Sequence, residues 1–265
     1  MKLVLIGGGH YGTYPDKPYN LREIDEKIVE LSGKAHPRLL FIGFTIRSNH
    51  TFGYMKKHYM ELGVQCEHLC YNEFSNQKTV DGKFKRADII YIGGGNTIYF
   101  MQKIRKFGID KKLEEAVCQN KVIVGRSAGA IIISSAGSSD SRKYKGKIKF
   151  TRAKGLGFLD VFLAPHYTDS ERPSDMYRIM QKRRSQVAIG LDSCSALVIN
   201  DEYFQTLVSS QDANIYKIVL NNNRIYQRLL EKQGKLCDLL KNNNWQIINK
   251  MIKWFCFRKT MKVIK

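Results

Sequence analysis

The sequence predicts an α/β protein with a mostly parallel sheet that lies between layers of helices. Over the first two thirds of the chain, short apolar runs alternate with amphipathic stretches of helical period. Glycine-rich or polar residues follow most of these runs, as expected where a strand ends. With 43% hydrophobic and 26% charged residues among 265, the composition is that of a folded globular protein.

Seven apolar runs predict the buried strands of this sheet. They are residues 3–6, 39–42, 64–69, 89–92, 122–124, 161–164 and 187–189. Runs that are apolar at nearly every position are typical of strands covered on both faces. Farther along, the β-like segments 196–199, 215–220 and 224–227 predict antiparallel strands at one edge of the sheet.

The helices are predicted from apolar spacing and end signals. Asn20 and Glu23 form a capping-box pattern ahead of a helix that Gly33 ends. Further helices are predicted at residues 52–62, 97–104, 110–117, 130–133 and 174–183. Each lies between two predicted strands, where a parallel sheet needs a crossover connection.

The chain is basic, and the charge is unevenly distributed. Lys and Arg number 44 against 24 acids, a net charge of +20, and residues 224–265 carry +9 of it through eleven Lys or Arg and two acids. We therefore expect a domain over residues 1–231 and a basic extension over 232–265. Because the remaining charge is spread without a dense basic run, we do not expect nucleic acid as a partner. The extension could also bind anionic lipid or RNA, dock on another surface, or have no task.

Membrane, metal and cofactor classes receive no support from the sequence. No apolar run approaches the roughly 18 residues of a spanning helix, and the N-terminal apolar stretch is too short for a signal peptide. The six cysteines match neither a zinc site nor a redox motif. We expect free thiols in a cytoplasmic protein with no metal and no cofactor, and a homodimer is left open.

Residues suited to catalysis or ligand binding follow the predicted strands. These residues are Gly7-Gly8-Gly9-His10, Thr45, Gly93-Gly94-Gly95-Asn96, Arg126-Ser127, His166 and Asp192. In an open parallel sheet, ligands bind beyond the carboxyl ends of the strands. The sequence therefore predicts a site at this edge.

Gly125-Arg126-Ser127-Ala128-Gly129 matches G-x-S-x-G, the nucleophile elbow, in which a serine sits on a tight strand-to-helix turn. Here the motif lies between a predicted buried strand and an apolar helix, as it must. Ser127 is therefore the candidate nucleophile. The amide of Ala128 would face an anion that forms on a bound carbonyl.

A serine hydroxyl needs a base to take its proton, and His166 is the leading candidate because it follows its own strand at the same edge. His10, which also follows a strand, is the competitor. For the other four histidines (His36, His50, His58 and His68), a packing or surface role is the better interpretation.

The turn Gly93-Gly94-Gly95-Asn96-Thr97 can supply a second oxyanion donor, because glycine lets backbone N–H groups approach a ligand closely. A phosphate loop for a nucleotide is the rival interpretation. Neither glycine-rich turn matches G-x-G-x-x-G or the P-loop pattern with its lysine, which makes nucleotide binding the weaker hypothesis.

Together these motifs resemble the peptidase E family, the aspartyl dipeptidases related to cyanophycinase. The matching segments keep the family's order from residue 1 to about 228 and are the N-terminal strand with its turn, 93–97, 125–130, Pro165-His166-Tyr167-Thr168-Asp169 and Ala188-Ile189-Gly190-Leu191-Asp192. The resemblance implies a flavodoxin-like three-layer fold, shared with class I glutamine amidotransferases. It also implies serine-dependent cleavage of small peptides next to an acidic residue.

The resemblance assigns roles to several residues. It makes Ser127 the nucleophile and His166 the general base, with an oxyanion hole formed by the amides of Ala128 and of Gly94 or Gly95. Relatives often carry a glutamate where this chain has Ser193. The triad acid is therefore open between Asp192, Asp140 and neither.

An acidic substrate side chain needs a cation near the nucleophile. Arg126 and Arg172 are the candidates, because a guanidinium can bind a carboxylate through two hydrogen bonds. Asn96, at the end of the second glycine turn, is a further candidate for substrate binding.

Two alternative functions remain to be weighed. An α/β-hydrolase esterase shares G-x-S-x-G, but its histidine usually lies far downstream, whereas His166 comes 39 residues after Ser127 and is the last histidine in the chain. A catalytically weak or inactive protein on the same scaffold, binding nucleic acid or another anionic partner through the tail, is the second alternative. Ser193 and the basic extension are the features that support it.

Overall fold

The computed structural model describes residues 1–12, 17–144, 147–168, 172–183, 187–222 and 224–241, together with the backbone of 262–264. The strands are β1 (Lys2–Ile6), β2 (Arg38–Ile42), β3 (Gln65–Leu69), β4 (Ile89–Ile92), β5 (Val122–Arg126), β6 (Ser134–Tyr144), β7 (Lys147–Lys154), β8 (Leu159–Pro165), β9 (Val187–Leu191), β10 (Ser195–Asn200), β11 (Tyr203–Val208), β12 (Ile215–Asn221), β13 (Arg224–Leu229), β14 (Gln233–Lys235) and β15 (Lys262–Ile264). The helices are α1 (Arg22–Ser32), α2 (Ile46–Glu61), α3 (Gln77–Arg86), α4 (Thr97–Lys106), α5 (Ile109–Cys118), α6 (Ala128–Ile133), α7 (Arg172–Arg183) and α8 (Leu236–Leu240).

Eight strands form the first sheet, in the order β3-β2-β4-β5-β1-β10-β11-β14. The five strands from β3 to β1 are parallel, and the three that follow are antiparallel. Helices α1 and α2 pack on one face, and helices α3 to α6 pack on the other. The predicted α/β class, with a mostly parallel sheet between two helical layers, is confirmed.

The apolar runs of the sequence form the centre of this sheet. Residues 3–6 of β1 and 89–92 of β4 have no exposed surface, because helices cover both faces. Burial of about 1.5–3 kcal/mol per large apolar side chain stabilises this layer. With this packing, the carboxyl ends of β1, β4 and β5 lie side by side at one edge.

A second sheet of seven strands departs from the expected architecture. Its order is β7-β6-β8-β9-β12-β13-β15, with β6, β8 and β9 parallel. The runs at 161–164 and 187–189 therefore belong to a different sheet from the runs before them. Burial makes a run apolar whichever sheet it joins, so the pattern could not separate the two sheets.

The start of α1 also differs from the expectation. The helix begins at Arg22 with Leu21 as its N-cap, and no side chain caps it. Asn20 instead bonds to the turn after β1: its Oδ1 accepts from the amide of His10 at 2.7 Å, and its own amide donates to the carbonyl of His10 at 3.2 Å. The capping box was wrong, and Asn20 closes the loop that carries His10.

The first residues beyond 231 pack on the first sheet. Strand β14 pairs with β11, and Leu239 of α8 is 1% exposed. The buried amine of Lys217, on β12, donates to the carbonyls of Asp238 at 2.7 Å and Lys241 at 2.9 Å. The boundary at residue 231 stays a prediction, and residues 242–261 of the basic extension lie outside the described residues. None of the described helices is both long enough and apolar enough to span a bilayer.

Candidate active site

Ser127 lies on a strained turn between β5 and α6. Its backbone angles are φ 54° and ψ −110°, a conformation that residues other than glycine rarely adopt. The turn needs small neighbours: a Cβ on Gly129 would overlap the carbonyl of Ile92, and one on Gly125 would overlap the backbone of Gly129. The two glycines of the motif are therefore required by close backbone contact, and the turn directs Ser127 to the edge of the sheet.

His166 reaches Ser127 from the second sheet. It follows Pro165 at the end of β8 and also has a positive φ, of 51°. Its Nε2 lies 3.0 Å from Ser127 Oγ, within proton-transfer reach. Its amide donates to the carbonyl of Gly7 at 3.2 Å, which joins the end of β8 to the end of β1.

The Nδ1 atom of His166 contacts a hydroxyl. Ser193 Oγ lies 2.8 Å from it, in the turn between β9 and β10. In the tautomer whose Nε2 can accept the proton of Ser127, Nδ1 carries the ring proton and would donate a hydrogen bond to Ser193 Oγ, which would fix the tautomer and the ring orientation. A neutral hydroxyl does so without the negative charge that a carboxylate would bring.

The two candidate acids contact main-chain amides and an arginine. Asp192 is 4% exposed, and its carboxylate accepts from the amide of Thr168 at 3.1 Å and from the amide of Asn214 at 3.0 Å. Asp140, on β6, lies 3.7 Å from the guanidinium of Arg172 and is half exposed. These contacts place Asp192 as a brace for the chain after His166. The triad role of either acid stays a prediction.

Backbone of the second glycine turn flanks the nucleophile. A Cβ on Gly94 would lie 3.5 Å from Ser127 Cβ and 4.0 Å from its Oγ, so the main chain passes beside the hydroxyl. Gly95 has a φ of 149° and packs on the ring of Phe100. Ala128 directly follows Ser127, opens α6 and is 2% exposed. Main chain of both Gly94 and Ala128 therefore lies next to Ser127.

A cavity of about 690 Å³ opens over these groups. The described lining residues are Gly8, Gly9, His10, His50, Thr51, Tyr54, Gly94, Arg126, Ser127 and His166. Three of them come from α2 and were missed, and His50 had been assigned a packing or surface role. Because α2 follows β2, its first turns lie over the same edge of the sheet. That position was the signal that could have found them.

The three candidate substrate-binding residues differ in position. Arg126 lines the cavity and donates to the carbonyl of Gly9 at 2.9 Å. Arg172 is 5% exposed and donates to the carbonyl of Ser138 at 2.9 Å, beside β6. Asn96 caps α4 by accepting from the amide of Tyr99 at 3.0 Å. Of the three, Arg126 is the one that the described cavity lining includes.

Comparison with known proteins identifies the family. The sequence model of "Peptidase family S51" matches residues 3–207, about three quarters of the chain. The chain belongs to peptidase family S51. As a member of this family, the protein is a serine-type peptidase.

Relatives and solved structures agree with this assignment. The chain is 29% identical over 229 residues to the uncharacterized peptidase YgaJ of Bacillus subtilis, covering 84% of this chain and 94% of that protein. In fold, it is similar to a crystal structure of a peptidase from an acI-B1 Actinobacterium, with a TM-score of 0.65, 20% identity and 88% and 96% of the two chains covered. A putative peptidase E protein from Listeria monocytogenes gives a TM-score of 0.57 at 20% identity over 79% and 98% of the chains. The resemblance to peptidase E proteins is confirmed.

Proposed function

We propose that this peptidase hydrolyses short peptides with an N-terminal acidic residue through an acyl-enzyme on Ser127. The observation that carries the proposal is the 3.0 Å contact between His166 Nε2 and Ser127 Oγ at the floor of the cavity. Both side chains stand on strained backbone, a cost of about 1–3 kcal/mol each that the surrounding structure must offset. Such strain clusters at functional sites.

The reaction follows from the positions of these groups. His166 takes the proton of Ser127 as Oγ attacks the scissile carbonyl, and the amides of Ala128 and Gly94 stabilise the oxyanion that forms. His166 then gives the proton to the leaving amine, and the acyl group stays on Ser127. Water, deprotonated by the same imidazole, attacks the acyl carbonyl, and His166 returns that proton to Ser127 Oγ as the acid product leaves. Ser193 holds the ring through Nδ1 during both half-reactions.

The size and charge of the cavity suit a small anionic substrate. Its volume of about 690 Å³ lies within the range of small-molecule sites, roughly 300–1,000 Å³. Arg126 directly precedes the nucleophile in the chain and lines the cavity, together with the basic side chains of His10 and His50. Its guanidinium would bind a carboxylate on the substrate. A cytoplasmic location is part of the proposal, since the five described cysteines are free thiols, as in a reducing compartment.

Replacement of the nucleophile tests the proposal. Ser127→Ala should lower hydrolysis of an Asp-Xaa dipeptide by about three orders of magnitude or more, because the step through Oγ is lost. The wild type should cleave the matched Asn-Xaa dipeptide more slowly, since Asn lacks the charge. A fluorophosphonate should label Ser127, as located by mass spectrometry. Unchanged turnover in the variant would refute the nucleophile, and equal turnover of the two dipeptides would refute the acidic specificity.

The alternative of an inactive binding protein is based on Ser193 and on the basic extension 232–265, of which residues 242–261 and 265 lie outside the described part of the chain. The geometry at Ser127 favours the enzyme.

A further inference from the structure

A buried carboxylate faces the first sheet from α1. Asp25, in the first turn of that helix, has no exposed surface. Its Oδ1 accepts from the hydroxyls of Tyr59 at 2.7 Å and Tyr11 at 3.1 Å, and its Oδ2 accepts from Tyr19 at 2.8 Å. The hydroxyl of Tyr91, from β4, lies 3.0 Å from that of Tyr11. A buried charge is costly unless it is hydrogen-bonded, and here three phenols donate to one carboxylate.

Tyr11 connects this cluster to the nucleophile. Tyr11 is 1% exposed, and the guanidinium of Arg126 lies 5.3 Å from the centre of its ring. The same guanidinium donates to the carbonyl of Gly9 at 2.9 Å. Since Arg126 directly precedes Ser127, a displacement of Tyr11 would move both Arg126 and the turn 7–10, which Arg126 contacts.

That turn also contacts the base. A Cβ on Gly8 would overlap the Cε1 atom of His166, so the backbone of the turn lies directly against the imidazole. The preceding carbonyl, of Gly7, accepts from the amide of His166 at 3.2 Å. The position of the turn therefore sets where the imidazole can lie.

We propose that Asp25 is a positioning residue: as a carboxylate it holds Tyr11, and through Tyr11 it keeps the turn 7–10 and Arg126 against Ser127 and His166. The effect on catalysis rests on the proposed function, whereas the mechanical link to His166 does not. Asp25 touches no substrate and acts only through its neighbours.

The ionisation of Asp25 makes the link testable. Burial raises the pKa of Asp25 to about 7, against the opposing effects of hydrogen bonds from three tyrosines and the charge of Arg126. Protonation turns an accepting oxygen into a donor, so one of the three phenols must give up its hydrogen bond. The contacts of Tyr11 would then change as the pH falls through about 7.

Other titratable groups face the cluster from each element packed on it. Burial raises the pKa values of Tyr11, Tyr19, Tyr59 and Tyr91, which keeps these phenols neutral near pH 7. His58, from α2, stacks on Tyr19 at 3.7 Å between ring centres, and its Nε2 lies 3.3 Å from the carbonyl of Tyr11.

Arg126 approaches from β5, and Arg22, the first residue of α1, influences Tyr19 through its charge. Both are cations throughout the range of the experiment. His58 also contacts the cluster, so the variant His58→Gln is needed to distinguish its effect from that of Asp25.

The experiment follows the Hε1 proton of His166 by NMR between pH 5 and 9, in the full chain. In the wild type we expect an inflection near pH 7 that reports the ionisation of Asp25. Asp25→Asn should lose it. Glu26→Gln, which changes an exposed carboxylate on the same helix, and His58→Gln should keep it. In parallel, kcat for an Asp-Xaa dipeptide should fall about tenfold in Asp25→Asn with little change in KM, as for a small misplacement of reacting groups.

A titration curve of His166 that is the same in Asp25→Asn and wild type would overturn the proposal. If that variant does not fold, Tyr59→Phe removes one donor from the charged form of Asp25, and the inflection should move to higher pH. An unmoved inflection would again overturn the proposal. An inactive wild type whose inflection is lost in Asp25→Asn would refute the proposed peptidase reaction and support the link from Asp25 to His166.

Discussion

Ser193→Ala removes the hydroxyl that contacts Nδ1 of His166 at 2.8 Å and leaves the rest of the site in place. The variant loses one neutral hydrogen bond to the half-buried ring, which costs about 1–2 kcal/mol. If the cost falls on the transition state, kcat/KM drops about five- to thirtyfold. Loss of the partner that sets the tautomer in a carboxylate triad costs about 10⁴-fold.

The assay is kcat/KM for an Asp-Xaa dipeptide, with the rate of fluorophosphonate labelling as a measure that does not depend on the substrate. Ser135→Ala is the matched control, because Ser135 Oγ, on β6, donates to Asp160, on β8, at 2.7 Å. This variant should leave both rates unchanged. A loss near 10⁴-fold in Ser193→Ala would refute the neutral-partner argument. An unchanged rate would show that His166 needs no partner at Nδ1.

Two stability predictions follow from packing and burial. Gly129→Ala should lower the free energy of unfolding by about 1–3 kcal/mol in a urea titration, because its Cβ meets the backbone carbonyl of Ile92. A Cβ added at Gly53, in α2, has no other atom within 4 Å, so Gly53→Ala should stabilise the protein by about 0.5–1 kcal/mol. Equal effects of the two changes would contradict the packing argument. Burial lowers the pKa of Lys217 from 10.5 to about 8, so between these pH values the unfolded chain binds more protons and stability rises with pH. Lys217→Met should remove that rise in thermal unfolding measured across pH 8–10.5, and parallel curves for the two proteins would refute it.

The parts of the fold that the sequence predicted are those with a strong apolar signal. Residues 3–6 and 89–92 are apolar at nearly every position because helices cover both faces of the strands. Strand β6 was missed because residues 134–144 are mostly Ser, Gly and charged residues. Helix α3 was missed because it buries only Val80 and Phe84 among its ten residues. Too few apolar positions remain in such segments to set a period.

The parts of the candidate site that follow strand ends could be predicted from the sequence. Ser127 and His166 each follow an apolar strand and meet as expected. The partner of Nδ1 was not predicted, because side-chain direction in a turn depends on backbone angles that no period encodes. Asp192 and Ser193 are adjacent, yet one braces main-chain amides and the other contacts the imidazole. Asp25 lay unnoticed, since a single acid in an amphipathic helix usually faces water.

Ser127 directly follows a strand of the first sheet and His166 directly follows a strand of the second, so their separation depends on how the two sheets dock. Much of that docking is apolar: Leu163 of β8 and Ile131 of α6 belong to one buried cluster with the strands of the first sheet. Substitutions in this seam, remote from any bound peptide, would therefore adjust the reach between base and nucleophile. Substitutions in the interior of such a protein can change its turnover even when every group that contacts the substrate is retained.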